Sequence, residues 1–356
     1  MFSGAANQFG FVNARIRGMM SRFLRLDTYE SLLQSASYEE FIKMLANTYY
    51  GPIISKAHPS GIPTPDELAL ILSGNYAEVS HNLTKSLSGK VNDFASTYMK
   101  MFLAESIKSM IRGIHVGLDK DEILRFAVPT SPEEADEFAQ LAEARSVQIF
   151  VDELPYWDLK ISLLTKMPVY EELSSTAPLE VAIESWYLRN LMKILKDFPK
   201  EDQKRVLDIV EARVDLRNVL TMLRALALQL DSRAIDLSLV EFTGRSKALL
   251  ESIRSKPNWR EVITALESTR YGELAGRIAR MYEESQSLVT VELAIEDYIA
   301  QRVKQQMTAY PFHLGIIFAF FTLKFYEVRN IQVISVGIER NHKTDEIRNM
   351  LTYTGI

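Results

Sequence analysis

The chain of 356 residues contains no cysteine. Disulfides, cysteine nucleophiles and thiolate metal sites are therefore excluded. Glycine is sparse, at 15 residues. None of these form the phosphate cradles G-x-G-x-x-G or G-x-x-x-x-G-K-[ST], so the common nucleotide-binding loops are missing. The five histidines, His58, His81, His115, His313 and His342, are scattered without a metal-ligand spacing. No G-x-S-x-G elbow occurs. The longest apolar run, Leu314–Leu323, is half of the ~20 residues needed to span a bilayer and reads as a buried core helix. The N-terminus lacks the apolar core of a signal peptide. A net charge of −5 is small for this length and carries no basic excess for nucleic acid. No cofactor, metal or nucleic acid is expected.

What is present is repetition. The stretch VDLRNVLTMLRA, Val214–Ala225, returns 112 residues later as EVRNIQVISVG, Glu327–Gly337. Asp215, Arg217, Asn218 and Ala225 meet Glu327, Arg329, Asn330 and Gly337. The same step backwards gives LAESIKSMIRG, Leu103–Gly113, where Met110, Arg112 and Gly113 meet Met222, Arg224 and Ala225. Asp121-Glu122-Ile123 and Asp345-Glu346-Ile347 match at twice the step, and EVAIESW from Glu180 returns as ELAIEDY from Glu292. A step held twice without insertion marks internal repeats. The expected fold is all-α, with three helical lobes at 1–118, 119–231 and 232–356.

Apolar residues at 38, 41, 42, 45 and 49 have the spacing of an amphipathic helix, which Gly51-Pro52 is expected to stop through a left-handed glycine cap. Glu40, Ile42, Leu45, Thr48, Tyr50 and Gly51 recur as Glu261, Ile263, Leu266, Thr269, Tyr271 and Gly272. The middle copy belongs in Ser146–Leu164, where no clear match stands. Tyr49, Tyr50 and Tyr271 are expected to pack under the turn. Ser131-Pro132 signals a helix start, and Pro199 and Tyr310-Pro311 signal turns. The first helix is expected from near Gln8. VISVGIE, Val333–Glu339, alternates as a strand would, but its counterparts read as helix, and helix is expected.

Carboxylate pairs such as Glu39-Glu40 and Glu133-Glu134 are adjacent on helices, about 100° apart, and do not converge on one substrate atom. One arrangement is a binding candidate. Arg213, Arg217 and Arg224 fall within about 40° on one helix, and Lys108 and Arg112 form a similar row one copy earlier. Such a row on a largely buried helix faces water, snorkels, or lines a surface that meets a partner. The Arg-Asn pairs at 217–218 and 329–330 can equally brace neighbouring helices by bonding carbonyls.

The ordered set of FVNARIR at Phe11–Arg17, the Tyr50-Gly51 helix end, and YPFHLGIIFAFFTLKFYEVRNIQVISVGIE at Tyr310–Glu339 resembles the C subunit of archaeal-type (A/V-type) ATP synthases, a relative of the d subunit of the vacuolar ATPase. The resemblance covers nearly the whole chain. It implies an all-α funnel of three lobes about a pseudo-threefold axis, without catalysis or cofactor. It implies a place on the cytoplasmic face of the membrane, peripheral, as a socket between the D and F subunits of the central stalk and the membrane rotor ring of proteolipid subunits. Torque then passes between proton or sodium flow and ATP chemistry. A helical-repeat adaptor, and a helical enzyme with a pocket between lobes, are the other readings that the residues alone allow.

Overall fold

A computed structural model describes residues 2–125, 127–242, 244–308 and 312–352. The described residues form twenty α-helices and no strand. The expected Tyr310-Pro311 turn lies outside the described residues. After α1 (Phe2–Met20), which starts well before Gln8, the helices fall into three runs in the same order. Copy one holds α2 (Leu26–Leu33), α3 (Tyr38–Ala46), α4 (Gly51–Ala57), α5 (Pro65–Lys85), α6 (Gly89–Val116) and α7 (Lys120–Leu124). Copy two holds α8 (Pro132–Leu141), α9 (Val147–Glu153), α10 (Trp157–Leu164), an additional α11 (Met167–Leu173), α12 (Ala177–Leu195), α13 (Lys200–Ala227) and α14 (Ser232–Ser238). Copy three holds α15 (Arg245–Ile253), α16 (Trp259–Glu267), α17 (Gly272–Ser285), α18 (Leu288–Thr308), α19 (Gly315–Glu339) and α20 (Thr344–Asn349).

The repeat extends to hydrogen bonds. Each of the three long helices α6, α13 and α19 ends in the same Schellman turn. The amides of Leu118, Leu230 and His342 bond the carbonyls of Gly113, Ala225 and Gly337 at 2.9, 3.0 and 2.9 Å. The residue before each amide is left-handed, with φ of 78° at Gly117, 54° at Gln229 and 58° at Asn341. Copy two thus holds a glutamine where a glycine or asparagine costs less. Helix starts repeat too. Ser37, Ser146 and Asn258 accept from the amides of Glu40, Ile149 and Glu261, capping α3, α9 and α16.

The missing middle copy of the Tyr-Gly turn is therefore α9 and the turn into α10. Tyrosine precedes the following helix in all three copies, as Tyr50, Tyr156 and Tyr271. In copies one and three, four residues separate the helices, and Thr48 and Thr269 close the turn. Their hydroxyls donate to Leu45 and Leu266 and accept from the amides of Tyr50 and Tyr271. In copy two Leu154-Pro155-Tyr156 is one residue shorter and has no threonine. The glycine acts differently from expectation. Gly51 is helical and opens α4, and a Cβ there would lie 1.9 Å from the Ala46 carbonyl oxygen. Close approach of backbone, not a left-handed cap, requires glycine.

Contacts divide the chain into two compact units: Met1–Ser106, Asp121–Gln140 and Ala300–Ile356 in one, and Ile107–Lys120 and Leu141–Ile299 in the other. In the first, α19 is packed by α1, α2, α3, α5 and α20. Neighbours on every side explain why its sequence is apolar around its circumference. Residues 314–323 are all buried, and VISVGIE completes the same helix. Gly337 makes room for α20, since a Cβ would meet Ile347 at 2.6 Å. In the second unit, α13 is packed by α14, α15 and α16, and α12 by α10, α11 and α14. The succession is the same in both units. The long helix of copy two takes up the short helices of copy three, and that of copy three takes up those of copy one.

Candidate functional site

Three sets of buried or half-buried polar residues tie the helices to one another. The first is a clamp repeated three times. On α13, Asn218 donates from Nδ2 to the Val240 carbonyl at 2.8 Å and accepts the Val240 amide at 2.9 Å. One step on, Asn330 does the same to Thr352 at 2.7 and 3.0 Å. One step back, Ser106 Oγ donates to the Val128 carbonyl at 3.2 Å and accepts its amide at 2.9 Å. Each clamp reaches 22 residues ahead. It satisfies both backbone groups of a segment with no helical partner, which buried backbone requires. Carboxamide and hydroxyl each offer a donor and an acceptor, so a serine can stand in the asparagine's place.

The second set joins the tyrosine turns to the long helices. The Tyr50 hydroxyl donates to Glu327 Oε1 at 2.6 Å, and the other carboxylate oxygen accepts the Leu24 amide at 2.6 Å. Lys324 reaches Tyr50 Oη at 2.7 Å and Glu327 at 2.9 Å, with its ammonium 4.6 Å from the Tyr50 ring centre. In the other unit the Tyr271 hydroxyl donates to Asp215 at 2.5 Å, and Arg270 bonds Tyr271 Oη at 2.6 Å from above its ring. Tyrosine and acid repeat; the cation does not. It comes from the long helix in one unit and from the turn in the other. Burial first, and then the adjoining carboxylate, pushes both phenol pKa values upward, so both hydroxyls stay protonated donors. At the matching place copy one has Leu103, and its tyrosine counterpart Tyr156 is only half-buried. The acid and the buried tyrosine are lost together.

The third set contains the basic row. Lys108 is 3 % exposed and donates to Glu184 at 2.9 Å. Arg217 lies 3.4 Å from the same carboxylate. Burial alone would raise the Glu184 pKa, but the charges of Lys108, Arg217 and Arg213 lower it to about 2. Arg112 pairs with Glu180 at 2.7 Å, and one step on Arg224 pairs with Glu292 at 2.7 Å. Both arginine side chains remain 49 % exposed. The repeated EVAIE and ELAIE segments therefore supply the carboxylates that answer the repeated arginines. In each case the long helix of one copy meets the first long helix of the next. The equivalent α19–α5 seam carries no such arginine: Val336 and Leu68 stand at the matching places, and Gln332 bonds the Ala69 carbonyl. Sequence reading identified the basic residues but not their partners, which lie 68 positions away for Arg112 and Arg224, 76 for Lys108 and, in the other direction along the chain, 33 for Arg217. The common step of both bridge ends was the available signal.

The tyrosine clusters are shut off from solvent. Tyr50 and Tyr271 are 0 % and 1 % exposed, and their charged partners Glu327, Lys324 and Asp215 do not exceed 3 %. Among the described residues no helix is long and apolar enough to cross a membrane.

Known proteins resemble this chain along nearly its whole length. The C subunit of the A-type ATP synthase of Methanocaldococcus jannaschii is 26 % identical over 96 % of this chain and 86 % of its own length. The proteins of the same name from Haloferax volcanii and Halobacterium salinarum are 23 % and 25 % identical, over 95 % and 97 % of both chains. The sequence matches the family described as "ATP synthase (C/AC39) subunit" across residues 12–350. With one match running through all three copies, the chain belongs to the ATP synthase (C/AC39) subunit family.

Proposed function

We propose that the chain is a non-catalytic subunit of an A-type ATP synthase, a socket joining the D–F central stalk to the membrane rotor ring. The observation that carries this reading is the match to archaeal A-type C subunits over nearly the full length of both partners. The residues 1–118, 119–231 and 232–356 serve in this reading as three lobes of a funnel, peripheral on the cytoplasmic face of the membrane. The physical chemistry favours it. A body that transmits torque must resist shear between its helices. Directional bonds that tie each long helix to a distant segment supply that resistance, where apolar packing alone lets side chains slide. The buried charged clusters are closed to solvent and suit bracing. Among the basic residues, Arg112 and Arg224 keep half of each side chain in water and are the ones assigned to meet the stalk. Lys108 and Arg217 hold Glu184, and Arg213 adds to the field there.

The test is size-exclusion chromatography with light scattering on the purified chain, a purified D–F pair and the detergent-solubilised ring. A one-to-one complex with D–F is expected, and ATP should show no saturable binding to the chain alone. Failure to bind either D–F or the ring would overturn the socket role.

A further inference from the structure

Copy two departs from the other copies at one place that bracing does not explain. Trp157 opens α10 and is 69 % exposed. Ile161, one turn on, is 43 % exposed, and Leu164 is half-buried. Positions i, i+4 and i+7 lie within about 60° on a helix. The opposite face carries Leu159 and Leu163, both 0 % exposed, which seat α10 in its unit. The helix is therefore apolar on two faces with only one of them packed. Aligned on the tyrosine before each helix, the matching residues are Gly51, Ser55 and His58 in copy one, and Gly272, Gly276 and Ala279 in copy three. The repeat needs glycine at the first of these. Copy two escapes that need through its shorter turn, and it places a tryptophan there.

Charge limits what can cover this stripe. Asp158 flanks it on one side. On the other, Lys160 turns its ammonium onto the Asp152 backbone carbonyl, beside the exposed carboxylates of Asp152 and Glu153. Arg189 bonds Ser162 toward the packed side. Asp152, Glu153 and Asp158 thus make the N-terminal end of the stripe, where Trp157 stands, acidic, with Lys160 tied to a backbone carbonyl and exposed Lys166 lying beyond the other end of the helix; this is not the lysine or arginine belt that an anionic bilayer selects. We propose that the outer face of α10, anchored by Trp157 and Ile161, docks into an apolar groove rimmed by basic residues on another protein of the assembly. Spacing of this kind is how an amphipathic helix fills a groove, and tryptophan is the residue most often dominant in such contacts. The inference goes beyond the socket role, since it concerns one copy and a contact that threefold repetition does not supply.

The absence of native cysteine makes the test direct. Ile161→Cys introduces a single thiol, whose maleimide labelling rate is read in the free chain and in the assembly purified from its own cells through a tag on this chain. Fast labelling in the free chain and at least tenfold protection in the assembly are expected; equal rates overturn the proposal. Trp157→Ala should cut recovery in the assembly at least tenfold with an unchanged melting temperature, and unchanged recovery overturns it. Glu153→Lys combined with Asp158→Lys should release the protection; if protection survives, the basic rim is wrong. Protection in the isolated chain with a dimeric mass, or by phosphatidylglycerol–phosphatidylcholine vesicles alone, overturns it in favour of a second copy or a membrane. Whether D, F and ring proteins accompany the tagged chain tests the socket reading separately, because protection is read in whichever assembly carries the chain.

Discussion

Replacing Asn218 by alanine removes the clamp of copy two and nothing else of comparable size. Asn218 is 2 % exposed, and its two bonds to Val240 are of ordinary length. After truncation the Val240 amide and carbonyl stay buried with no partner within the fold. Each unsatisfied buried group costs about 1–3 kcal/mol, so a loss of roughly 3–4 kcal/mol is expected. Asn218→Ser should lose less, because Ser106 makes both bonds in copy one. The assay is urea unfolding with hydrogen exchange at the Val240 amide. The midpoint should fall at constant slope, and the protection of that amide should drop in step with stability. Asn330→Ala, in the other unit, should cost a similar amount, and the two losses should add within about 0.5 kcal/mol. A loss below about 1 kcal/mol, or unchanged protection at Val240, would refute the idea that the clamp carries this segment.

Glu184, held at a pKa of about 2 against 4.5 unperturbed, contributes stability that is complete above the unfolded value. That contribution, on the order of 3 kcal/mol, should vanish as pH falls from about 5 to 2. Glu184→Gln should flatten that part of the acid-unfolding curve and cost about 3–5 kcal/mol at neutral pH by stranding Lys108; a neutral-pH stability equal to wild type would contradict the brace. Gln229→Gly should stabilise by about 1 kcal/mol, because glycine takes the left-handed turn at no steric cost; a lower melting temperature would mean that the glutamine side chain has another task. Gly51→Ala should destabilise by about 2 kcal/mol through its clash with the Ala46 carbonyl, and calorimetry showing no change would disprove the close-approach account.

The family and the helical class were legible because they rest on linear patterns. The 112-residue step, the EVAIE and ELAIE segments and the apolar run at 314–323 are visible without coordinates, since helical periodicity and repetition survive substitution of individual residues. The middle Tyr-Gly turn was not legible. One residue is missing before Tyr156, and the threonine and glycine that make the turn recognisable are unnecessary in the shorter geometry. The role assigned to Gly51 also changed, because a close approach between two helices leaves no trace in one helix's sequence.

The sequence by itself determined that three similar helical copies exist, and which residues of each are apolar, basic or acidic. Tertiary structure alone decided which charges meet. Glu180 and Arg112 stand 68 residues apart, Tyr50 and Glu327 stand 277 apart, and the lysine of one cluster is replaced by an arginine from another element in the next. The physical reason is that burial constrains the total charge in a closed space, not the backbone position that supplies it. Any element that reaches the space can provide the compensating cation, and only the packed fold shows which one does.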